Sequence, residues 1–135
     1  MKKIDHIGIA VKDLKKSNFI YENILGIAPY KEETLELQSV KASFFKVNNS
    51  KIELLEAIGD DSTIAKFIKN KGEGIHHIAF LVDDIYEEMK RLVKLGFKLV
   101  NNVPKKGADN KLICFIYPKK TSGVLIEICQ EIIKK

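Results

Sequence analysis

Two stretches of the chain carry the same run of apolar, polar and small residues. Ile4-Asp5-His6-Ile7-Gly8-Ile9-Ala10-Val11 lies over Ile75-His76-His77-Ile78-Ala79-Phe80-Leu81-Val82 without a gap. Short apolar runs with branched residues read as strands. Each run is followed by an aspartate and then by a segment with apolar residues at helical spacing. These are Leu14, Phe19 and Ile20 after Asp13, and Ile85, Met89, Leu92 and Val93 after Asp84. Asp13 and Asp84 stand where an N-cap would accept the free N–H groups of a first turn. Gly26 and Gly96 stand where a left-handed residue would close each helix.

Strand-like segments follow both helices: Ile27 to Glu33, Val40 to Val47 and Lys51 to Ala57 in the first copy, and Phe97 to Asn101, Leu112 to Tyr117 and Val124 to Cys129 in the second. Each copy therefore reads β-α-β-β-β. Between them, residues 61–70 read as a capped connecting helix that ends before Gly72-Glu73-Gly74. The expectation is an α+β chain with one domain over residues 1–135, built from modules at about 1–58 and 74–131. A repeat of this size suggests two modules that form a pair, neither stable alone.

Composition narrows the class. The chain has 135 residues and 45% hydrophobic content, ordinary for a globular domain. No apolar run approaches the roughly 20 residues that span a bilayer. The start leads straight into strand-like sequence rather than a signal-peptide core. The expected setting is cytoplasmic, with no membrane partner. Cys114 and Cys129 lie in separate apolar runs, as buried reduced thiols would. The net charge of +5 comes almost entirely from scattered lysines, Arg91 being the only arginine. Nucleic-acid surfaces favour clustered arginines among aromatics, so no nucleic-acid partner is expected. The charge can still attract an anionic small substrate.

The chain has three histidines, His6, His76 and His77, all in the repeated strands. The repeat places His6 in register with His77 and turns His76 to the other face. Gly8, Ala10 and Ala79 follow at alternate positions and leave space beside the imidazoles. The last strand of each copy carries a carboxylate among apolar residues: Glu53 follows His6 by 47 positions and Glu127 follows His77 by 50. An ionised carboxylate buried without compensation costs several kcal/mol, which a cation would relieve. Two matched His/Glu pairs supply four ligands for one divalent metal, with positions open for water or substrate. Glu56 lies on the opposite face from Glu53. Gly72-Glu73-Gly74 and Gly107 fit no phosphate loop and read as turns, and Ser17, Ser43 and Ser62 lack a nucleophile context. Lys119-Lys120 after Pro118 reads as a solvated turn that could meet an anionic substrate.

With these residues in view, the chain resembles the vicinal oxygen chelate (glyoxalase-like) superfamily. Within it, the chain is similar to the methylmalonyl-CoA epimerase family over nearly its whole length. The likeness is carried by residues 4–11, Lys51-Ile52-Glu53-Leu54-Leu55-Glu56, Asp61-Ser62-Thr63-Ile64-Ala65-Lys66-Phe67, residues 72–80 and Gly123-Val124-Leu125-Ile126-Glu127-Ile128-Cys129-Gln130. The resemblance implies an isomerase with His6, Glu53, His77 and Glu127 on cobalt, zinc, nickel or manganese. It implies epimerisation of an acyl-CoA, methylmalonyl-CoA, by 1,1-proton transfer through a metal-stabilised enolate, with Glu127 as ligand and base, in a homodimer. Some family members carry a second, non-ligand glutamate in the third strand, where this chain has Ala42. Glu53 leaving the metal is then the expected second base. Tyr117 stands where the family often has histidine. Two other readings share the fold: a lactoylglutathione lyase acting on a glutathione hemithioacetal, and a non-catalytic ligand-binding module. The first would need groups that grip glutathione, and the second would not need the intact ligand set.

Overall fold

A computed structural model describes residues 1–133. Its strands are β1 (Lys3–Val11), β2 (Lys31–Leu35), β3 (Val40–Val47), β4 (Ser50–Ala57), β5 (Gly74–Leu81), β6 (Lys105–Gly107), β7 (Lys111–Ile116) and β8 (Ile126–Glu131). Its helices are α1 (Leu14–Leu25), α2 (Thr63–Lys71) and α3 (Ile85–Lys94). The chain divides into two compact units. One is His6–His76; the other joins Met1–Asp5 to the chain from His77 onward. The connecting helix α2 thus belongs to the first unit and the leading five residues to the second.

Both units share one plan, two tandem βαβββ modules in a mixed α and β fold. In the first, the strands run β2-β3-β4-β1: an antiparallel meander with β1 added parallel to β4. In the second, β6-β7-β8-β5 repeats that arrangement. A parallel neighbour requires a crossover, and α1 and α3 provide it.

The helix signals act as their chemistry dictates. Asp13 accepts from Lys16 N at 3.1 Å, and Asp84 accepts from Tyr86 N and Glu87 N at 3.1 and 3.2 Å. Gly26 closes α1 in the left-handed region at φ 71°. α3 ends one residue short of expectation, with Leu95 as its cap and Gly96 at φ 94° just beyond. The buried side of α1 also differs from the expected stripe. Leu14 and Ser17 are buried, and Tyr21 and Leu25 pack on a core of Val11, Leu14, Phe45 and Leu54. Phe19, placed more than a third of a turn round from that line, is 67% exposed, and Ile20 is 43% exposed. In the second unit, Ile85, Met89 and Leu92 pack with Val82, Cys114, Ile116 and Ile128, while Val93 stays exposed.

Three strands differ from their expected places, and a proline is involved in the first two. Pro29 has no N–H to give, so pairing opens at Tyr30 N, which donates to Phe44 O, and β2 starts at Lys31 rather than Ile27. The expected strand Phe97 to Asn101 reduces to one bridge, Leu99 with Ile116. The Asn101–Pro104 segment then detours, and regular pairing resumes as β6. β8 begins at Ile126 instead of Val124, after a turn in which Val124 N donates to Thr121 O. Gly107 serves close packing in β6 rather than a turn, since a Cβ there would lie 2.7 Å from Ile113 Cδ1. Cys114 and Cys129 are buried and neither forms a disulfide. Among the described residues, no helix is long and apolar enough to cross a membrane.

Candidate active site

In the first unit, β1 lies parallel to β4 with Gly8 paired to Glu53. Side chains alternate along a strand, so His6, two residues before Gly8, projects on the same face as Glu53. His6 Nε2 lies 3.1 Å from Glu53 Oε2, with the residues only 7% and 5% exposed. The second unit reproduces the relation. Ala79 pairs with Glu127, His77 stands two residues before Ala79, and His77 Nε2 lies 3.4 Å from Glu127 Oε1. Both of these residues are buried as well. The paired positions beside these carboxylates hold the two smallest residues, glycine and alanine.

Each glutamate also has a phenylalanine directly across the antiparallel ladder: Phe44 beside Glu53 and Phe115 beside Glu127. The Phe115 ring meets the His77 ring edge-on at 5.4 Å. These aromatic walls hold the donors in a low-polarity setting, where electrostatic interactions strengthen. Sequence reasoning did not find them, because cross-strand partners depend on hairpin register. In hindsight, an aromatic residue in the penultimate strand of both copies was the available signal.

The remaining candidates find other work. Glu56 accepts from Leu14 N at 2.8 Å at the start of α1, and Gln130 accepts from Ile85 N at 2.8 Å at the start of α3. These matched contacts satisfy helix N-termini and remove Glu56 from the donor set. His76 turns away from the His77 face, and its ring meets Phe67 of α2 edge-on at 5.0 Å. Burial, followed by the nearby Lys71 charge, lowers its pKa to about 4. Lys120 Nζ donates to Gly96 O at 2.8 Å behind α3, a structural use of the Lys119-Lys120 turn. Glu73, between its two glycines, accepts from Lys12 N at 2.8 Å, and Ser62 caps α2 through Ala65 N at 3.0 Å. Arg91 pairs with Glu88 on its own helix at 2.8 Å.

Each unit buries one His–Glu pair in a repeated position, and imidazole and carboxylate are ligand types that suit a divalent cation. A neutral imidazole nitrogen and a carboxylate oxygen are both lone-pair donors, and an ion between them offsets the buried negative charge.

Residues 5–115 match the family described as the Glyoxalase/Bleomycin resistance protein/Dioxygenase superfamily, and the chain belongs to it. That membership implies a divalent metal, for which the two pairs are the candidate ligand groups. Uncharacterized protein YqjC of Bacillus subtilis (strain 168) is 42% identical over 96% of this chain and 93% of its own length. The mitochondrial methylmalonyl-CoA epimerase of Homo sapiens is 39% identical over 95% of this chain and 73% of its own. A solved methylmalonyl-CoA epimerase in complex with methylmalonyl-CoA and ammonium superposes with a TM-score of 0.94 at 32% identity, covering 97% of this chain and 95% of the other. Likeness at this level places the chain in the methylmalonyl-CoA epimerase branch of the superfamily, among isomerases of the racemase and epimerase class.

Proposed function

We propose that this protein epimerises methylmalonyl-CoA, with one divalent cation held jointly by His6, Glu53, His77 and Glu127. The observation that carries the reading is the repeated pair: the same His–Glu relation, at 3.1 Å and 3.4 Å, in the same strand register of both units. One pair offers too few ligands for a stable centre, whereas two give four and leave positions open. The two modules then act as one functional domain. When bound, the cation supplies Lewis-acid stabilisation of the enolate that forms when the α-proton leaves. Cobalt, zinc, nickel and manganese all suit two imidazoles with two carboxylates.

The chain's own residues carry the proton. Glu127 takes the α-proton, and the C–H electron pair passes into the enolate. Return of a proton to the opposite face inverts the centre and requires a second proton carrier; within the ligand set Glu53 is the one other carboxylate. Phe44 and Phe115 flank the two carboxylates and lower the polarity around them. Reduced, buried thiols suit a cytoplasmic setting. The family resemblance implies a homodimer, which sedimentation would read directly.

The test is conversion of a single epimer of methylmalonyl-CoA by cobalt-loaded protein. Conversion that stops on chelation and in Glu127→Gln supports the reading. Metal-loaded protein that leaves the epimer unchanged contradicts it.

A further inference from the structure

Inversion at one carbon needs a proton carrier on each face, and the strand register of the first unit shows where a second carboxylate stands. Residues paired across the sheet share a face, so each row can be named. Lys31, Phe44, Glu53 and Gly8 form one row, and Glu33, Ala42, Leu55 and Ala10 form the next. Leu35, Val40 and Ala57 follow on one side, and Lys46, Lys51 and His6 on the other. Among these described positions, the face carries two carboxylates, Glu53 and Glu33.

Glu33 stands across from Ala42, which is fully buried and whose methyl group leaves room for a neighbour's side chain to lie over it. The burial of β2 agrees: Lys31, Glu33 and Leu35 are half-buried, while Glu32 and Thr34 are exposed. The Glu33 side chain is 29% exposed, with Lys31 Nζ 3.7 Å away. Lys31 in turn lies over the Phe44 ring at 5.9 Å, so the charge sits at the rim of the Glu53 face. β2 lies two strands from β4, about 10 Å at ordinary strand spacing. Glu33 therefore shares the Glu53 face while standing outside the His6–Glu53 pair. In the second unit the same register position, across from Ile113, holds the exposed Lys105. The extra carboxylate is therefore a property of one half and no part of the repeat.

We propose that Glu33 is the second proton carrier, an assignment that rests on the epimerase reading and leaves Glu53 on the cation throughout. Glu127 removes the α-proton from one face, and the C–H pair enters the enolate. Glu33, as the carboxylic acid, gives its O–H proton to the other face as that electron pair forms the new C–H bond. Glu127 is then protonated and Glu33 ionised, and exchange with water resets both for either direction.

The experiment follows each epimer separately in D2O with cobalt-loaded protein, comparing wild type with Glu33→Gln and measuring bound metal in both. Glu33→Gln is expected to keep its metal and to lose epimerisation by about a hundredfold or more. It should still wash deuterium into the one epimer whose α-proton faces Glu127, without inversion. Epimerisation within threefold of wild type would overturn the assignment. So would an equal loss of exchange from both epimers, or a loss of metal, since either marks a structural role. Wild-type protein inert toward both epimers would instead sink the epimerase reading itself.

Discussion

Removing the divalent cation is expected to lower the melting temperature by about 10 °C. The two buried pairs set the direction, and the magnitude is that of a ligand held at a hundred times its dissociation constant. Glu53 and Glu127 are 5% and 4% exposed, so their charges depend on compensation from within the protein. A ligand that binds only the folded chain adds about 2.7 kcal/mol at a hundred times its dissociation constant. Unfolding entropy of roughly 2.1 cal/mol/K per residue gives about 0.28 kcal/mol/K for 135 residues. The ratio is close to 10 °C. Calorimetry of chelated and cobalt-loaded protein reads it, and His6→Ala or His77→Ala should each erase most of the difference. A melting temperature that ignores chelation, in protein shown to hold metal beforehand, would refute the claim that these pairs carry the ion.

Two further predictions concern the scaffold. His76 is held mostly neutral, its pKa moved from 6.5 to about 4 by burial and then by Lys71. Its contribution is complete above pH 6.5 and is lost as pH falls toward 4, by up to roughly 3 kcal/mol. Urea unfolding at pH 7 and pH 4.5 should therefore show a smaller acid loss in His76→Phe than in wild type, and an equal loss would count against the assignment. Glu56 holds Leu14 N at 2.8 Å, so Glu56→Ala should cost about 1.5–3 kcal/mol by denaturant unfolding, and Glu56→Gln, which keeps an acceptor, markedly less. An alanine variant as stable as wild type would mean that water serves the start of α1 equally well.

The parts legible in sequence are those set by local chemistry or by repetition. Asp13, Asp84 and Gly26 mark helix ends because capping involves only neighbours in the chain. His6, Glu53, His77 and Glu127 stood out because the same types recur at matched positions, and the folded strands bring each histidine against the glutamate of its own copy. What escaped depends on partners distant in sequence. The apolar spacing in α1 suggested Phe19 and Ile20, but the face that meets β3 and β4 runs through Leu14, Ser17, Tyr21 and Leu25. The strands before Tyr30 and before Lys105 were misplaced because Pro29 and the Asn101–Pro104 detour delay pairing. Phe44, Phe115 and Glu33 were missed for a related reason. Hairpin register sets Phe44 and Phe115 across from the two glutamates and Glu33 across from Ala42, which no single strand reveals.

The most direct test of the central claim is α-proton exchange of methylmalonyl-CoA in D2O, followed by NMR with cobalt-loaded protein. Exchange that disappears on chelation and in Glu127→Gln is the predicted result, joining the cation and the carboxylate in one reaction. No exchange from either epimer, with metal demonstrably bound, would contradict the epimerase account and direct attention to another reaction of the same superfamily, such as glutathione hemithioacetal isomerisation.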